Sequence, residues 1–124
     1  MTILFLDDYR VPADCYSYIP QISLYLHGDW DTVVDFNSFT EYFADVKDGK
    51  IEMPTLISFD HDLAKEHYNH LLNPIPYEKF DVQTGFHCAL WLKDFCEENE
   101  FVIPEILCHS MNPAGKKNIL EIFR

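Results

Sequence analysis

Hydrophobic and polar positions divide the chain into short, continuous apolar runs and longer amphipathic stretches. Short apolar runs bounded by polar or turn residues are typical of strands buried on both faces of a sheet. Four runs fit this description, at Ile3–Leu6, Thr32–Phe36, Thr55–Phe59 and Ile103–Cys108. The pattern therefore predicts four buried strands.

The segments between and after these runs favour helices. Cys88, Trp91 and Leu92 follow helical spacing, and Ser38 with Glu41 forms a capping-box pattern. In chain order, the predicted helices are a broken helix over 13–26 interrupted by Pro20, a helix from Asn37 or Ser38 to about Lys47, a helix capped by Thr84, and a helix with Asn112 as N-cap and Pro113 in its first position. About 20 residues before Thr84 lack periodicity, and unstructured loops of this length are typical of lids or mobile segments.

The predicted elements alternate as β-α-β-α-β-α-β-α. Helical connections between strands require parallel pairing with right-handed crossovers. We therefore predict one α/β domain over residues 1–124. Its architecture is a doubly wound, flavodoxin-like parallel sheet of about four strands in the order 2-1-3-4.

Composition narrows the function classes. The chain has 21 acidic and 9 basic residues and a formal net charge of −12. Because nonspecific nucleic-acid binding depends on Lys and Arg, we expect no binding to an extended duplex, and any nucleic acid should be a small piece or an end. No apolar run approaches the roughly 20 residues needed to cross a bilayer, and no basic residue precedes the N-terminal run. We expect a cytoplasmic protein without membrane contact, with four free cysteine thiols and an oligomeric state left open.

Polar residues follow three predicted strands that the strand order makes neighbours. They are Asp7, Asp8 and Arg10 after the first strand, Asp60, His61 and Asp62 after the third, and His109, Ser110 and Asn112 after the fourth. Ligands bind beyond the carboxyl ends of parallel strands in such sheets. We therefore expect these residues to converge on one crevice.

Clustered carboxylates need protons or a cation. Two unit charges about 4 Å apart repel by roughly 4 kcal/mol at an effective dielectric near 20. Carboxylate oxygens suit Mg²⁺ or Mn²⁺, and nearby imidazole favours Mn²⁺. Asp60 is the best ligand candidate from its strand, whereas Asp62 either contributes to the site or caps the following turn. A solvated strand end is the alternative for Asp7 and Asp8.

Two histidines and a serine are candidates for phosphoester chemistry. His61 and His109 are candidate general acid and base, because an imidazole ordinarily titrates near neutrality. The alternative for each is an ordinary hydrogen-bonded histidine. Ser110 points away from His109 in a regular strand, so we assign it to phosphate binding.

Two helix starts are candidate phosphate sites. The helix that begins at Pro113 offers free backbone N–H groups to an anion, and Lys116 lies in its first turn. Thr84 opens the preceding helix and is a candidate second phosphate contact. The alternatives are a solvated lysine and a plain N-cap.

Four segments together resemble the cyclic-phosphate-processing receiver-like family, whose small intracellular domains are related to the receiver domains of two-component signalling. The segments are LFLDDYRVP, SFDHDL, TGFHCALWL and HSMNPAGKKNI, and they cover most of the chain in the expected order. The resemblance implies a receiver-type fold with an acidic, metal-holding pocket. Asp7 and Asp8 match the receiver acidic pair, and Asp60 matches the phosphoacceptor. The family's substrates would be 2′,3′-cyclic RNA ends, as met in RNA repair, or cyclic nucleotides, with His61 and His109 serving the phosphoester chemistry.

Signalling receivers also have a fifth strand that ends in a phosphoryl-contacting lysine. No such strand is predicted after the last helix, and Lys116 offers the same charge at another position. We therefore do not expect ordinary phosphorelay.

The leading hypothesis is a metal-dependent cyclic phosphodiesterase with a small cyclic-phosphate or nucleotide substrate. Asp7, Asp8 and Asp60 would hold one Mg²⁺ or Mn²⁺. His61 and His109 would move protons, and the remaining candidates, Arg10, Asp62, Thr84, Ser110, Asn112 and Lys116, would contact substrate or phosphate. Two alternatives stay open: a receiver-like module that binds such ligands without cleaving them, and an acidic interaction protein that mimics nucleic acid.

Overall fold

The computed structural model describes residues 2–15 and 19–124. Four parallel strands form one sheet in the order β2-β1-β3-β4, and this confirms the predicted order and the receiver-like α/β fold. The strands are β1 (Ile3–Leu6), β2 (Trp30–Val33), β3 (Leu56–Phe59) and β4 (Glu105–Cys108).

Helices cover both faces of this sheet. They are α1 (Ile22–His27), α2 (Phe36–Lys47), α3 (Gly85–Asn99) and α4 (Pro113–Ile122), with short 3₁₀ turns at Pro12–Cys15, Lys65–His67 and Tyr77–Lys79. Side chains of β1 alternate between the two faces, as strand geometry requires. Leu4 and Leu6 lie in the larger core with residues of α2, α3 and α4, whereas Phe5 packs with Tyr25 of α1 on the other face.

The prediction for the second strand and the helix after it was wrong in position. The strand lies at Trp30–Val33 rather than Thr32–Phe36, because Asp35 leaves the sheet to cap α2. Asp35 Oδ1 accepts a hydrogen bond from Ser38 N at 2.7 Å, and Asp35 N donates to Ser38 Oγ at 3.1 Å. Ser38 therefore closes the capping box from its third position, where the sequence had suggested Ser38 or Asn37 as the cap itself.

The other boundaries agree more closely. Thr84 and Asn112 are the N-caps of α3 and α4 as predicted, and Asn112 Oδ1 accepts a hydrogen bond from Gly115 N at 3.0 Å. β4 begins two residues late, after Pro104, which has no N–H to donate to a neighbouring strand. The predicted broken helix over 13–26 becomes a 3₁₀ turn and α1, and residues 16–18 lie outside the described residues.

Two smaller predictions concern the thiols and the membrane. All four cysteines are buried thiols, as expected. In the described ranges, no helix is both long enough and apolar enough to cross a membrane.

The C-cap of α3 generates a stability prediction. Glu100 ends the helix in the left-handed conformation, with φ 60° and ψ 34°. This conformation is energetically unfavourable for a residue with a Cβ and favourable for glycine. We expect Glu100→Gly to raise the free energy of unfolding by roughly 1 kcal/mol, measured by chemical denaturation. Glu97→Gly is the matched control, since it removes the same charge from inside α3 and should lower stability by about 1 kcal/mol. Equal losses in both variants would contradict the argument.

Candidate functional site

A crevice of about 410 Å³ opens where β1, β3 and β4 end. Seven of the predicted site residues line it: Asp7, Asp8, Arg10, Asp60, Asp62, Ser110 and Asn112. The three strand ends that the sequence placed together therefore do meet. The reason is the parallel sheet, which brings the carboxyl ends of neighbouring strands to one edge.

Asp7 is the most heavily bonded carboxylate of the crevice. Its Oδ1 accepts hydrogen bonds from Tyr9 N at 2.9 Å and Arg10 N at 2.8 Å. Its Oδ2 accepts from Arg10 Nε and from His109 Nε2, both at 3.0 Å. Burial raises the pKa of Asp7, but the hydrogen bonds from His109 and the turn, with the charge of Arg10, outweigh it and hold the pKa below its usual range. Asp7 is therefore ionised near neutrality.

Asp60 has the opposite electrostatic character. It is 4% exposed, and its Oδ1 accepts hydrogen bonds from His61 N at 2.9 Å and Arg10 Nη2 at 3.2 Å. Burial raises the pKa of Asp60 to about 8, the neighbouring charge of Asp7 adds to the shift, and Arg10 offsets only part of it. Asp60 thus lacks enough positive charge nearby to stay ionised at neutral pH.

Asp7, Asp60 and His109 offer ligand atoms that all lie within 4.8 Å of one another. The carboxylate oxygens of Asp7 and Asp60 are ligands that suit Mn²⁺ or Mg²⁺, whereas both ring nitrogens of His109 are already hydrogen-bonded. The raised pKa of Asp60 also indicates a deficit of positive charge, which a divalent ion would supply. The residues present therefore fit a metal ion. Asp8, the third predicted ligand, is an exposed residue on the crevice wall and lies outside this group.

His109 lies behind Asp7 in a buried hydrogen-bonded chain. Its Nδ1 is 2.7 Å from Ser58 Oγ, Ser58 contacts the hydroxyl of Tyr25, and Phe5 stacks on the imidazole at 4.2 Å. A carboxylate only accepts hydrogen bonds, so His109 donates from Nε2 to Asp7 and accepts from Ser58 at Nδ1. Burial lowers the pKa of His109, which keeps the imidazole neutral.

His61 lies behind Asp62 in a second chain. Its side chain is fully buried, with Nδ1 at 2.6 Å from Asp62 Oδ1 and Nε2 at 2.9 Å from the hydroxyl of Tyr77. Asn118 Nδ2 donates to that hydroxyl at 2.8 Å, so Tyr77 donates onward to His61 and His61 donates to Asp62. Gly115 makes the packing possible, because a Cβ there would lie 2.3 Å from His61 Cγ.

These two chains change the roles expected of the histidines. His61 and His109 were predicted to exchange protons with a ligand, yet neither imidazole lines the crevice. Each instead donates to a carboxylate that does. The polar groups that line the crevice include carboxylates, the guanidinium of Arg10, the hydroxyl of Ser110 and the amide of Asn112.

Three further residues were predicted to contact phosphate or substrate, and the structure brings one of them to the crevice. Thr84 is fully buried and pairs with His87 in the capping box of α3, away from the crevice. Lys116 borders a separate groove beside Tyr25 and Cys108, so the structure does not bring it to the crevice either. Asn112 does line the crevice, where its Nδ2 donates to Asp62 Oδ1 at 3.1 Å.

Sequence reasoning missed the residues that support the histidines. Ser58 carried a usable signal, as a lone polar residue inside an apolar strand. Tyr25, Tyr77 and Asn118 carried none, because their hydrogen bonds join positions more than 15 residues apart. It also missed an apolar rim on the crevice, formed by Tyr9, Tyr68, Leu71 and Met111.

The raised pKa of Asp60 predicts how stability depends on pH in metal-free protein. A pKa raised from 3.8 to about 8 gives stability that is fully present below the unfolded value and is lost as the pH rises through the folded value. Between about pH 5 and about pH 8, the unfolding free energy should fall by up to about 1.4 kcal/mol per pH unit. Asp60→Asn should flatten this slope in denaturation with a chelator present, whereas Asp94→Asn, at an exposed position of α3, should keep it. Equal slopes in all three proteins would refute this electrostatic description.

The hydrogen-bonded chains predict the tautomers of both histidines. We expect ¹⁵N-resolved NMR to find the proton on Nε2 in His109 and on Nδ1 in His61. Tyr77→Phe removes the hydrogen-bond donor to His61 Nε2, so His61 should become a mixture of its two tautomers. The tautomer of His109 should stay unchanged and is the internal control. A proton on Nε2 of His61 in the parent protein would reverse the assigned direction of that chain.

Comparison with known protein families places the whole arrangement in context. The sequence model of the family described as the cyclic-phosphate processing receiver domain matches residues 2–124. Neither the search of curated proteins nor the search of solved structures finds a match to this chain. The family match spans the sheet, the helices and every residue of the crevice. The chain belongs to the cyclic-phosphate processing receiver domain family.

Proposed function

We propose that this chain is a metal-dependent phosphoesterase that opens cyclic phosphates, with 2′,3′-cyclic nucleotides or RNA ends as substrates. The observation that carries the proposal is the cluster of Asp7, Asp60 and His109, whose candidate ligand atoms lie within 4.8 Å of one another, with Asp7 and Asp60 lining the crevice. The family description supports the involvement of cyclic phosphates. The chemical step and the metal are our inference.

Asp7 and Asp60 would hold one Mn²⁺ or Mg²⁺, with His109 beside them and Asp8 on the adjacent wall. When bound, such an ion supplies Lewis acidity toward a phosphoryl oxygen and activates water. The protein's part is to keep the carboxylates oriented. His109 and the turn N–H groups do this for Asp7.

The remaining crevice residues would handle the substrate itself. Arg10 and Ser110 offer donors to the nonbridging phosphoryl oxygens. Asp62 offers an acceptor for the proton that the attacking water loses and a donor of that same proton to the sugar oxygen that leaves, and His61 fixes the orientation of Asp62 at 2.6 Å. In this scheme the histidines act through the carboxylates in front of them.

The apolar rim favours a nucleoside-sized ligand over a bare phosphate. Tyr9 and Met111 are 88% and 70% exposed at the mouth of the crevice, and Tyr68 and Leu71 lie on the same rim. Aromatic side chains beside a phosphate site can stack on a base. The volume of about 410 Å³ lies within the usual range for small-molecule sites.

One observation favours a second candidate, a receiver-like module that binds cyclic phosphates without cleaving them. Both imidazoles are engaged on their two ring nitrogens, so neither reaches a ligand as it stands. A site without an accessible histidine has fewer routes for proton transfer. Turnover separates the two candidates.

The experiment is turnover of 2′,3′-cyclic nucleotides by purified protein with Mn²⁺ or Mg²⁺, followed by chromatography of the products. We expect ring opening in the parent and a loss of roughly a hundredfold or more in Asp60→Asn, because a metal ligand is removed. Asp94→Asn should keep full activity. If the nucleotides bind tightly and are recovered unchanged with both metals, the binding module is the correct function.

A further inference from the structure

Arg10 has an unusual position for a side chain expected to meet phosphate. It is the one basic residue among the described residues that line the crevice, and it is already bonded to the two aspartates of the metal cluster. Its Nε lies 3.0 Å from Asp7 Oδ2 and its Nη2 lies 3.2 Å from Asp60 Oδ1. The guanidinium thus contacts both of the carboxylates that would hold an ion.

We propose that Arg10 is an internal counter-cation: it closes the metal-free site, is displaced by a divalent ion, and then faces the crevice as the receptor for an anionic phosphoryl group. The inference rests on the proposed function in placing the ion and the phosphate in the same crevice. It adds an order of events, with the metal binding before the anion.

The first step, displacement of Arg10 by the ion, follows from the number of hydrogen bonds that Asp7 can accept. A carboxylate offers about four lone-pair sites, two on each oxygen. Both sites on Oδ1 are filled by the backbone N–H groups of Tyr9 and Arg10, and both on Oδ2 by the side chains of Arg10 and His109. An ion can therefore bind Asp7 only if one of these donors leaves.

The four donors differ in how easily they can leave. Two are backbone groups of the turn that follows β1. His109 is 1% exposed and is held from behind by Ser58 and Phe5. The Arg10 side chain is 20% exposed and lies on the open wall of the crevice. Arg10 is the more exposed of the two side-chain donors, and we therefore assign it as the donor that leaves.

Charge carries the second step. Without an ion, the crevice presents the acidic residues Asp7, Asp8, Asp60 and Asp62 against one guanidinium that is already paired. An anion entering this site meets net negative charge and no available donor from Arg10. With a divalent ion on Asp7 and Asp60, the guanidinium is released and two positive groups face the anion. Metal and anion should then bind with positive coupling, which by thermodynamic linkage is reciprocal.

The competing description is a permanent ion pair, in which Arg10 orients Asp7 and stays in place when the ion binds. The two descriptions predict opposite effects of removing the guanidinium. A competitor weakens metal binding, so its removal strengthens it. A positioning group strengthens metal binding, so its removal weakens it.

The first experiment is calorimetry with Mn²⁺ on the parent, Arg10→Gln and Lys50→Gln. Lys50 is an exposed residue in the segment before β3, at the opposite edge of the sheet, and its replacement is the charge-matched control. We expect Arg10→Gln to bind Mn²⁺ roughly tenfold or more tightly than the parent, because a charge-assisted hydrogen bond to each aspartate no longer competes. Lys50→Gln should stay close to the parent. Unchanged or weaker Mn²⁺ binding in Arg10→Gln overturns the proposal.

The second experiment measures inorganic phosphate as the probe, with Mn²⁺ present or with a chelator. The parent should bind phosphate more tightly with Mn²⁺ than without, and Arg10→Gln should lose most of that gain. A full gain in Arg10→Gln overturns the second step. Neither measurement requires turnover of a substrate. A failed cleavage assay therefore does not contradict the displacement of Arg10, and a failure to observe coupling between Mn²⁺ and phosphate does not contradict cleavage.

A third measurement uses the parent protein alone and does not depend on the folding of any variant. In ¹⁵N–¹H NMR, the Nε–H of Arg10 reports its hydrogen bond to Asp7. Titration with diamagnetic Mg²⁺ should shift this resonance toward that of a solvated arginine. The shift should follow the same titration curve as the backbone amide signals of the residues that line the crevice. A resonance that keeps its position while Asp7 and Asp60 respond to Mg²⁺ overturns the displacement.

Discussion

The carboxylate of Asp7 is the interaction on which the rest of the site depends. It accepts hydrogen bonds from its own turn, from Arg10 and from His109, and Arg10 continues to Asp60. One buried side chain therefore ties the ends of β1, β3 and β4 together. Because the bonds to Asp7 are to its charged form, they allow an ionised carboxylate at 4% exposure. Asp60 accepts fewer hydrogen bonds, so burial and the nearby charge of Asp7 raise its pKa.

The two histidine chains follow from the same constraint, since a buried imidazole needs a partner on both nitrogens. A tyrosine hydroxyl begins or relays each chain, and burial raises the pKa of Tyr25 and of Tyr77 to about 12, so both phenols keep the protons they donate. Each chain ends on an aspartate that lines the crevice. His61 and His109 thus orient the carboxylates of Asp62 and Asp7. Arg10 is the side chain that we propose moves when a cation binds.

Sequence alone predicted the strand order because buried strands, helical connections and right-handed crossovers leave few topologies. For the same reason it predicted which strand ends would meet at one crevice. The two-residue alternation of a strand, continued past Phe59, places Asp60 and Asp62 on one face and His61 on the other, as observed: Asp60 and Asp62 line the crevice while His61 packs against Gly115. Alternation did not predict that His61 and His109 would each donate a hydrogen bond to a carboxylate of the crevice. Thr84 and Lys116 failed to reach the crevice because helix-start chemistry is local and does not specify which surface a residue faces. The support from Tyr25 and Tyr77 depends on tertiary packing that no local pattern encodes.

The long segment before Thr84, predicted as a lid or mobile loop, is anchored at several points, and this decides how the crevice can respond to a ligand. The carboxylate of Glu66 accepts from the backbone N–H of Val82 at 2.8 Å, and His67 bridges Leu63 N and Val82 O. Asn112 Nδ2 donates to His70 O, so the cap of α4 also holds the loop. The wall that this segment contributes is therefore held by hydrogen bonds without a ligand, which lowers the ordering cost of binding. In a crevice so constrained, rotation of one partly buried arginine, 20% exposed, is the smallest rearrangement that would let a cation and then an anion enter.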